Sequence, residues 1–253
     1  MPSKKRTAPW LYPPVKALVR LVYPKIAVYG QENLPEEPCV VVGNHSQLHG
    51  PIACELYFPG ERYTWCAGEM MHLKEVPAYA YQDFWSQKSA LSRPFYKLLS
   101  YLIAPLSVCV FNNANTIGVY RDGRIVSTFK NTVKRLTEGA NVVVFPEHDA
   151  PGTAIVSDFQ ESFVDVARLY HKKTGKALSF VPLYIAPNLK AMYLGKPIAF
   201  QPELPMEQQR QSICRALMEE ITRMAQSLPV HTVVPYRNIP KRLYPKNREE
   251  ERV

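Results

Sequence analysis

The chain has 253 residues, 46% apolar and 21% charged, so it can bury one sizeable core and is neither disordered nor collagen-like. The formal net charge of +9 lies in the ends: residues 1–26 hold six basic and no acidic side chains, 236–253 hold six basic against three acidic, and 27–235 balance. A neutral body excludes a fold whose main face tracks a nucleic-acid backbone, so no nucleic acid is expected as partner, whereas basic ends suit an anionic membrane surface.

The first stretch, 1–26, opens on Lys4, Lys5 and Arg6. No secretory signal is expected, because the following apolar run is interrupted by Pro13, Pro14, Lys16 and Arg20. At 11–23 the spacing predicts a short helix with Leu11, Val15, Leu18, Val19 and Val22 on one face and Lys16 and Arg20 on another. Edged by Trp10, Tyr12 and Tyr23, it suits a bilayer interface, the alternative being a helix docked on the core.

From 39 to 200, β-branched runs alternate with helical patterns. Residues 39–43 and 63–67 read as strands, with helical spacing from Pro51 between them and a helix through Met70 and Met71 after them. The apolar segment 95–111 has 17 residues, with Lys97 and a central Pro105. It falls short of the roughly 20 residues a spanning helix needs, so a buried helix or a shallow inserted hairpin is expected. A strand at 116–120 leads to an amphipathic helix carrying Ile125, Phe129, Val133 and Leu136, closed by Gly139. Residues 141–146 read as a strong buried strand, and Asp158 with Glu161 as a capping box opening the next helix. Strands follow at 178–186 and 196–200, then a terminal helix over 206–228 that prolines from Pro229 onward end. The expected architecture is an α/β layered domain (27–228) with a largely parallel central sheet flanked by helices. An amphipathic arm (1–26) precedes it and a basic, proline-rich tail (229–253) follows. Five cysteines without CxxC spacing (Cys39, Cys54, Cys66, Cys109, Cys214) read as reduced thiols in a cytosolic setting.

In open α/β sheets, functional groups gather at the carboxyl ends of strands. Three such ends carry chemistry: Asn44-His45-Ser46-Gln47-Leu48-His49-Gly50, then Arg121-Asp122-Gly123-Arg124, then Glu147-His148-Asp149. A histidine fixed at a strand–helix junction suits general-base work, and an arginine suits an anionic substrate group.

These segments resemble the motif blocks of the glycerolipid and lysophospholipid acyltransferases. YGQENLPEEPCVVVGNHSQLHGP (29–51) resembles their lead-in and first block, a strand followed by N-H-x-x-x-x-D. NTIGVYRDGR (115–124) resembles the second, VVVFPEHDA (142–150) the third, F-P-E-G-T-R-S, and FVPLYIAP (180–187), with Val181-Pro182, the fourth. All four stand in the family's order over roughly 26–200. Two departures matter. Gly50 stands where the family's aspartate orients the imidazole, and His148, Asp149 and Ala150 stand where Gly, Thr and Arg are usual.

The resemblance implies acyl transfer from acyl-CoA or acyl-carrier protein to a glycerolipid or lysophospholipid hydroxyl, on the cytoplasmic side of a membrane by a peripheral or monotopic protein. His45 would be the general base and Glu147 would position the acceptor hydroxyl. Arg121 would bind an anionic head, and Asn44, His148, Asp149 and Pro182 would complete the substrate site, with backbone N–H groups of the fourth block for the oxyanion. Neither metal nor cofactor is expected. For the absent aspartate, Glu147 or Asp149 is expected to approach His45 from the neighbouring strand. Two other readings stand beside this one: a lipid- or acyl-carrier-binding pseudoenzyme on the same fold, and a metal-dependent hydrolase using His45 and His49 at i, i+4 with His148 or Asp149. Both basic arms are expected to hold the site against an anionic leaflet.

Overall fold

Val40, Val41 and Val42 are buried, and their branched side chains suit a strand covered on both faces. They pair in parallel with Val142–Val144 on one side and with Phe180–Pro182 on the other. The computed structural model describes residues 7–86 and 89–249; Lys4, Lys5, Arg6 and Arg252, counted above with the basic arms, lie outside the described residues. In chain order the elements are α1 (Tyr12–Val22), β1 (Ala27–Tyr29), β2 (Val40–Gly43), α2 (His49–Tyr57), β3 (Arg62–Ala67), α3 (Val76–Ala80), α4 (Arg93–Asn113), β4 (Thr116–Val119), α5 (Ile125–Thr137), β5 (Asn141–Val144), α6 (Asp165–Thr174), β6 (Ser179–Ala186), β7 (Ala191–Leu194), β8 (Ile198–Ala199) and α7 (Met206–Ser227). The protein is thus a mixed α/β structure with a mostly parallel sheet and flanking helices, as the alternating pattern predicts. Two compact units divide it, Met1–Tyr23 with Thr64–Asn131, and Pro24–Tyr63 with Thr132–Val253.

The second unit holds the strand order β1-β7-β6-β2-β5, with β8 beside β6. β6 runs antiparallel to β7 and β8, while β1–β7, β2–β6 and β2–β5 are parallel. α7 packs on β6 through Ile213, Cys214, Leu217, Ile221, Met224 and Ala225, whose three- and four-residue spacing makes one buried stripe. The capping box predicted from Asp158 and Glu161 does not form. A 3-10 turn over Glu161–Val164 precedes α6, with Gln160 at its start and no side-chain cap. The reason is tertiary: the Asp158 carbonyl accepts the His148 N–H at 3.1 Å, and its carboxylate accepts the Phe159 N–H at 3.0 Å. The helix expected from Pro51 starts earlier, at His49.

In the first unit β3 and β4 pair in parallel, Thr64 opposite Thr116. Between them α3 and α4 pack around Met70, Val76, Ala80, Ala104 and Val108. Of the two forms expected for 95–111, a buried helix or a shallow hairpin, α4 is a helix, one continuous run of 21 residues that passes through Pro105. The ring removes the amide that would bond to the Tyr101 carbonyl one turn back, and packing carries the helix past it. Its outer face is apolar as well as its inner one. Ser100, Ala104, Ser107, Val108 and Cys109 face inward, and the Ser107 hydroxyl donates to the Met70 carbonyl at 3.1 Å. Phe95, Leu98, Tyr101, Leu102 and Leu106 face out. α1 lies against α4, tied there by the Asn113 amide, which donates to the Thr7 carbonyl at 2.6 Å. None of its residues is buried, and Leu21 is 83% exposed.

Candidate active site

The site is built where β2 ends in the second unit. Gly43 leads to Asn44, whose side chain extends the sheet by one residue. Its Oδ1 accepts the Ile185 N–H at 2.7 Å, and its Nδ2 donates to the Ile185 carbonyl at 3.1 Å and to Ser46 Oγ at 2.8 Å. Asn44 is 1% exposed, so its amide holds the loop to β6. These bonds also occupy the Ile185 N–H in the fourth block, and Pro182 has no N–H; its carbonyl accepts the Gly195 N–H at 2.8 Å, toward the sheet interior.

Two consecutive left-handed residues follow His45, Ser46 (φ +45°) and Gln47 (φ +55°). Each such conformation costs an L residue on the order of 1 kcal/mol, and the cost is met locally by hydrogen bonds. Ser46 Oγ accepts from Asn44, the Gly50 N–H donates to the His45 carbonyl at 3.0 Å, and Gln47 Nε2 donates to the Tyr244 hydroxyl at 2.8 Å. The turn places α2 after it, so His45 and His49 do not share a helix face. Among the described residues no group of three His, Cys, Asp or Glu side chains gathers as a metal-ligand set.

The His45 ring is held edge-on by Phe145 and Tyr236, with centroids 5.3 and 5.9 Å away. Its Nδ1 is buried and makes no hydrogen bond. Burial holds the imidazole below its ordinary pKa, opposed less strongly by the nearby backbone of Gln47 and of His45 itself. His49 is also held low, by burial and by the charge of Lys241.

Glu147 lies at the end of β5, 5% exposed. Its Oε2 accepts the backbone N–H of His45 at 2.5 Å and its Oε1 accepts the Ser157 N–H at 2.8 Å. Burial pushes its carboxyl up to about 7, against the pull of those two donors. The predicted carboxylate–imidazole contact is therefore corrected. Glu147 clamps the backbone of His45 rather than its ring, and Asp149 forms an ion pair with Arg237. His148 faces Asp158, with Nε2 to Oδ2 at 3.7 Å.

Gly50 cannot accept the family's aspartate on this backbone. A Cβ there would stand 2.6 Å from the His45 carbonyl, 3.1 Å from the Asn44 carbonyl and 2.9 Å from Phe145 Cε1. Gly50→Asp is expected to lower stability by about 1–3 kcal/mol in urea unfolding and to bring no gain in turnover. A stable, faster variant would show that the loop readily reopens around a carboxylate.

Arg121 belongs to the first unit, where it is exposed; burial raises the Asp83 carboxyl there, opposed less strongly by the charge of Arg121. The second unit brings together Asn44, His45, Glu147, His148 and Asp149.

The sequence reading missed the segment 229–249, expected as an irregular arm. It is docked. Val233 and Val234 are buried, Tyr184 OH and His231 Nε2 lie 2.7 Å apart, Thr232 bridges to Lys246, and the Asn247 amide donates to the Ala225 carbonyl at 2.8 Å and accepts the His231 N–H at 2.8 Å. Tyr236, Arg237 and Tyr244 are thereby laid across the His45 loop. The run of Val230, Val233 and Val234 among prolines was the available signal.

No family model matches the chain, and no curated protein matches it. Among solved structures, the crystal structure of the 1-acyl-sn-glycerophosphate (LPA) acyltransferase PlsC from Thermotoga maritima is similar to it. It is 16% identical, the match covering 87% of this chain and 83% of that one, with a TM-score of 0.44. At that score the likeness carries no argument about activity, substrate or residue roles.

Proposed function

We propose that the protein is an O-acyltransferase that moves a fatty acyl group from acyl-CoA or acyl-carrier protein to the hydroxyl of a glycerolipid or lysophospholipid. The observation that carries this reading is His45: a base kept neutral by burial, at the carboxyl end of the central strand, with its backbone pinned by Glu147. The four motif blocks in family order supply the reaction class. With Nδ1 buried, Nε2 is the nitrogen offered to the acceptor. It takes the hydroxyl proton as the acceptor oxygen attacks the thioester carbonyl; the carbon–sulfur bond then breaks and the proton passes to the leaving thiolate. Glu147 and Asn44 position the loop.

A second reading has its own observation. Among the described residues no carboxylate supports the ring at Nδ1, and in serine-protease triads the analogous loss lowers kcat about 10⁴-fold. A slow enzyme or a lipid-binding protein on the same fold follows. Radiolabelled acyl transfer with a panel of lysolipid acceptors decides between them: product above the protein-free rate supports the enzyme, and tight acyl-CoA binding without product supports the binder.

Support for a membrane setting comes from the first unit. Outward Phe95, Leu98, Leu102 and Leu106 on α4, and Leu18 and Leu21 on α1, present apolar surface with Lys16, Arg20 and Lys97 among them. α4 is long and apolar enough to cross a bilayer. A single crossing conflicts with the parallel pairing of β3 and β4, the strands before and after it, which places both on one side. A monotopic arrangement, with α4 lying in the interface of an anionic leaflet, satisfies both. Leu98→Glu with Leu102→Glu is expected to weaken binding to phosphatidylglycerol-containing vesicles about tenfold or more in flotation assays. Undiminished flotation would move the membrane contact elsewhere.

A further inference from the structure

The segment 229–249 carries positive charge onto a loop whose own unit otherwise holds, over 24–63 and 132–228, 13 basic against 15 acidic side chains. Tyr236 touches the His45 ring edge-on at 5.9 Å, and the carbonyl of the next residue, Arg237, lies 3.5 Å from Gln47 Nε2 in the turn that follows the base. The Arg237 guanidinium is half-exposed and is paired with Asp149, which is 75% exposed. The charge of Lys241 reaches His49 on the same loop. Nearby carboxylates are committed elsewhere: Glu147 has both oxygens on backbone N–H groups, and Asp158 faces His148.

Arg237 is not what fastens the segment. Val233, Val234, His231 and Asn247 are buried, and the bonds of Asn247 and His231 to α7, β6 and each other fix it independently. An exposed arginine–carboxylate pair contributes little in water, and a phosphate offers the guanidinium fork more charge and more acceptor oxygens than Asp149 does.

We propose that Arg237 binds the anionic group of the acyl acceptor, a phosphate close to the hydroxyl presented to His45. This rests on the acyl-transfer reading above.

The test uses the full chain with oleoyl-CoA as donor, and lysophosphatidate or monooleoylglycerol in mixed micelles as acceptors. Arg237→Gln is expected to raise KM for lysophosphatidate about tenfold or more, with kcat within about threefold and KM for oleoyl-CoA and monooleoylglycerol unchanged. Arg237→Lys restores part of the loss. Asp149→Asn, which frees the guanidinium, keeps or lowers KM for lysophosphatidate. If Arg237 only tied the segment down, Arg237→Gln and Asp149→Asn would act alike and on both acceptors; that result, or an unchanged KM in Arg237→Gln, overturns the proposal. Inorganic phosphate is run as a competitor: displacement only at far higher concentration than lysophosphatidate supports a lipid-borne phosphate, and equal potency overturns it. If the wild type acylates no acceptor, the acyl-transfer reading falls, and Arg237 is judged by calorimetric binding of lysophosphatidate micelles. Weakening about tenfold in Arg237→Gln then supports the anion subsite, and equal affinity overturns it.

Discussion

His45→Ala is expected to lower kcat for acyl transfer by about 10²–10⁴-fold, the usual contribution of a positioned base, without unfolding the protein. The ring packs against Phe145 and Tyr236 and, among the described residues, Nδ1 has no hydrogen-bond partner, so its loss opens a small space and strands no donor or acceptor there. The pH profile carries the same signature. Because burial lowers the pKa of His45, kcat/KM for the wild type rises with pH to a plateau whose midpoint lies below the ordinary imidazole value of 6.5. Steady-state rates from pH 5 to 9, with circular dichroism of both proteins, check both statements. Equal turnover in wild type and His45→Ala would remove His45 from the chemistry and leave the binding role.

The second large effect is on stability. Glu147 has a folded pKa of about 7 against 4.5 in the unfolded chain, so the native state binds the proton more tightly. Its contribution is fully present below pH 4.5 and is lost as pH rises through 7, a total of about 3 kcal/mol. His45 works in the opposite sense, since its folded pKa is depressed and its contribution is lost on acidification. A substitution separates the two. Glu147→Gln keeps the shape and removes the titration, so its stability relative to the wild type should improve by about 3 kcal/mol between pH 4.5 and 8. Urea unfolding of both proteins across that range gives the difference directly. A difference that does not move with pH would mean that the two N–H donors, from His45 and Ser157, hold the carboxylate ionised despite its burial.

The parts of the fold legible in the sequence are those fixed by covered β-branched runs. β2 and β5 consist of such runs, β6 is a buried apolar run, and α5 and α7 have apolar residues at helical spacing. β1 and β7 were not legible. They have three and four residues, and β1 is largely exposed, so neither has a pattern of its own; pairing with each other and, for β7, with β6 makes them strands. The capping box failed because residues 146–148 offered Asp158 a better partner than a helix terminus. For 95–111 the central Pro105 left a helix and a hairpin both open, and the packing of Met70, Val76 and Ala80 with Ala104 and Val108 accompanies one continuous helix, Arg93–Asn113. Within the site, the histidine and the glutamate were legible as residue types. That Glu147 would serve a backbone N–H was not, since a carboxylate in a sequence does not declare whether its partner is a ring or an amide.

The left-handed turn at Ser46–Gln47 has a consequence for how the site comes into being. Gln47 is tied to Tyr244, which is synthesised nearly two hundred residues after it and after every strand of the sheet. Domains generally assemble as the chain emerges, so the sheet can close around β2 while this turn still lacks its tie. The His45 loop is therefore finished last. A chain interrupted after α7 would carry a complete sheet and a competent-looking His45, yet its loop would have no outer wall and one fewer restraint on a strained geometry. Maturation of the site is then a step separate from folding of the sheet, and a C-terminal fusion or nick reaches the base without touching a single strand.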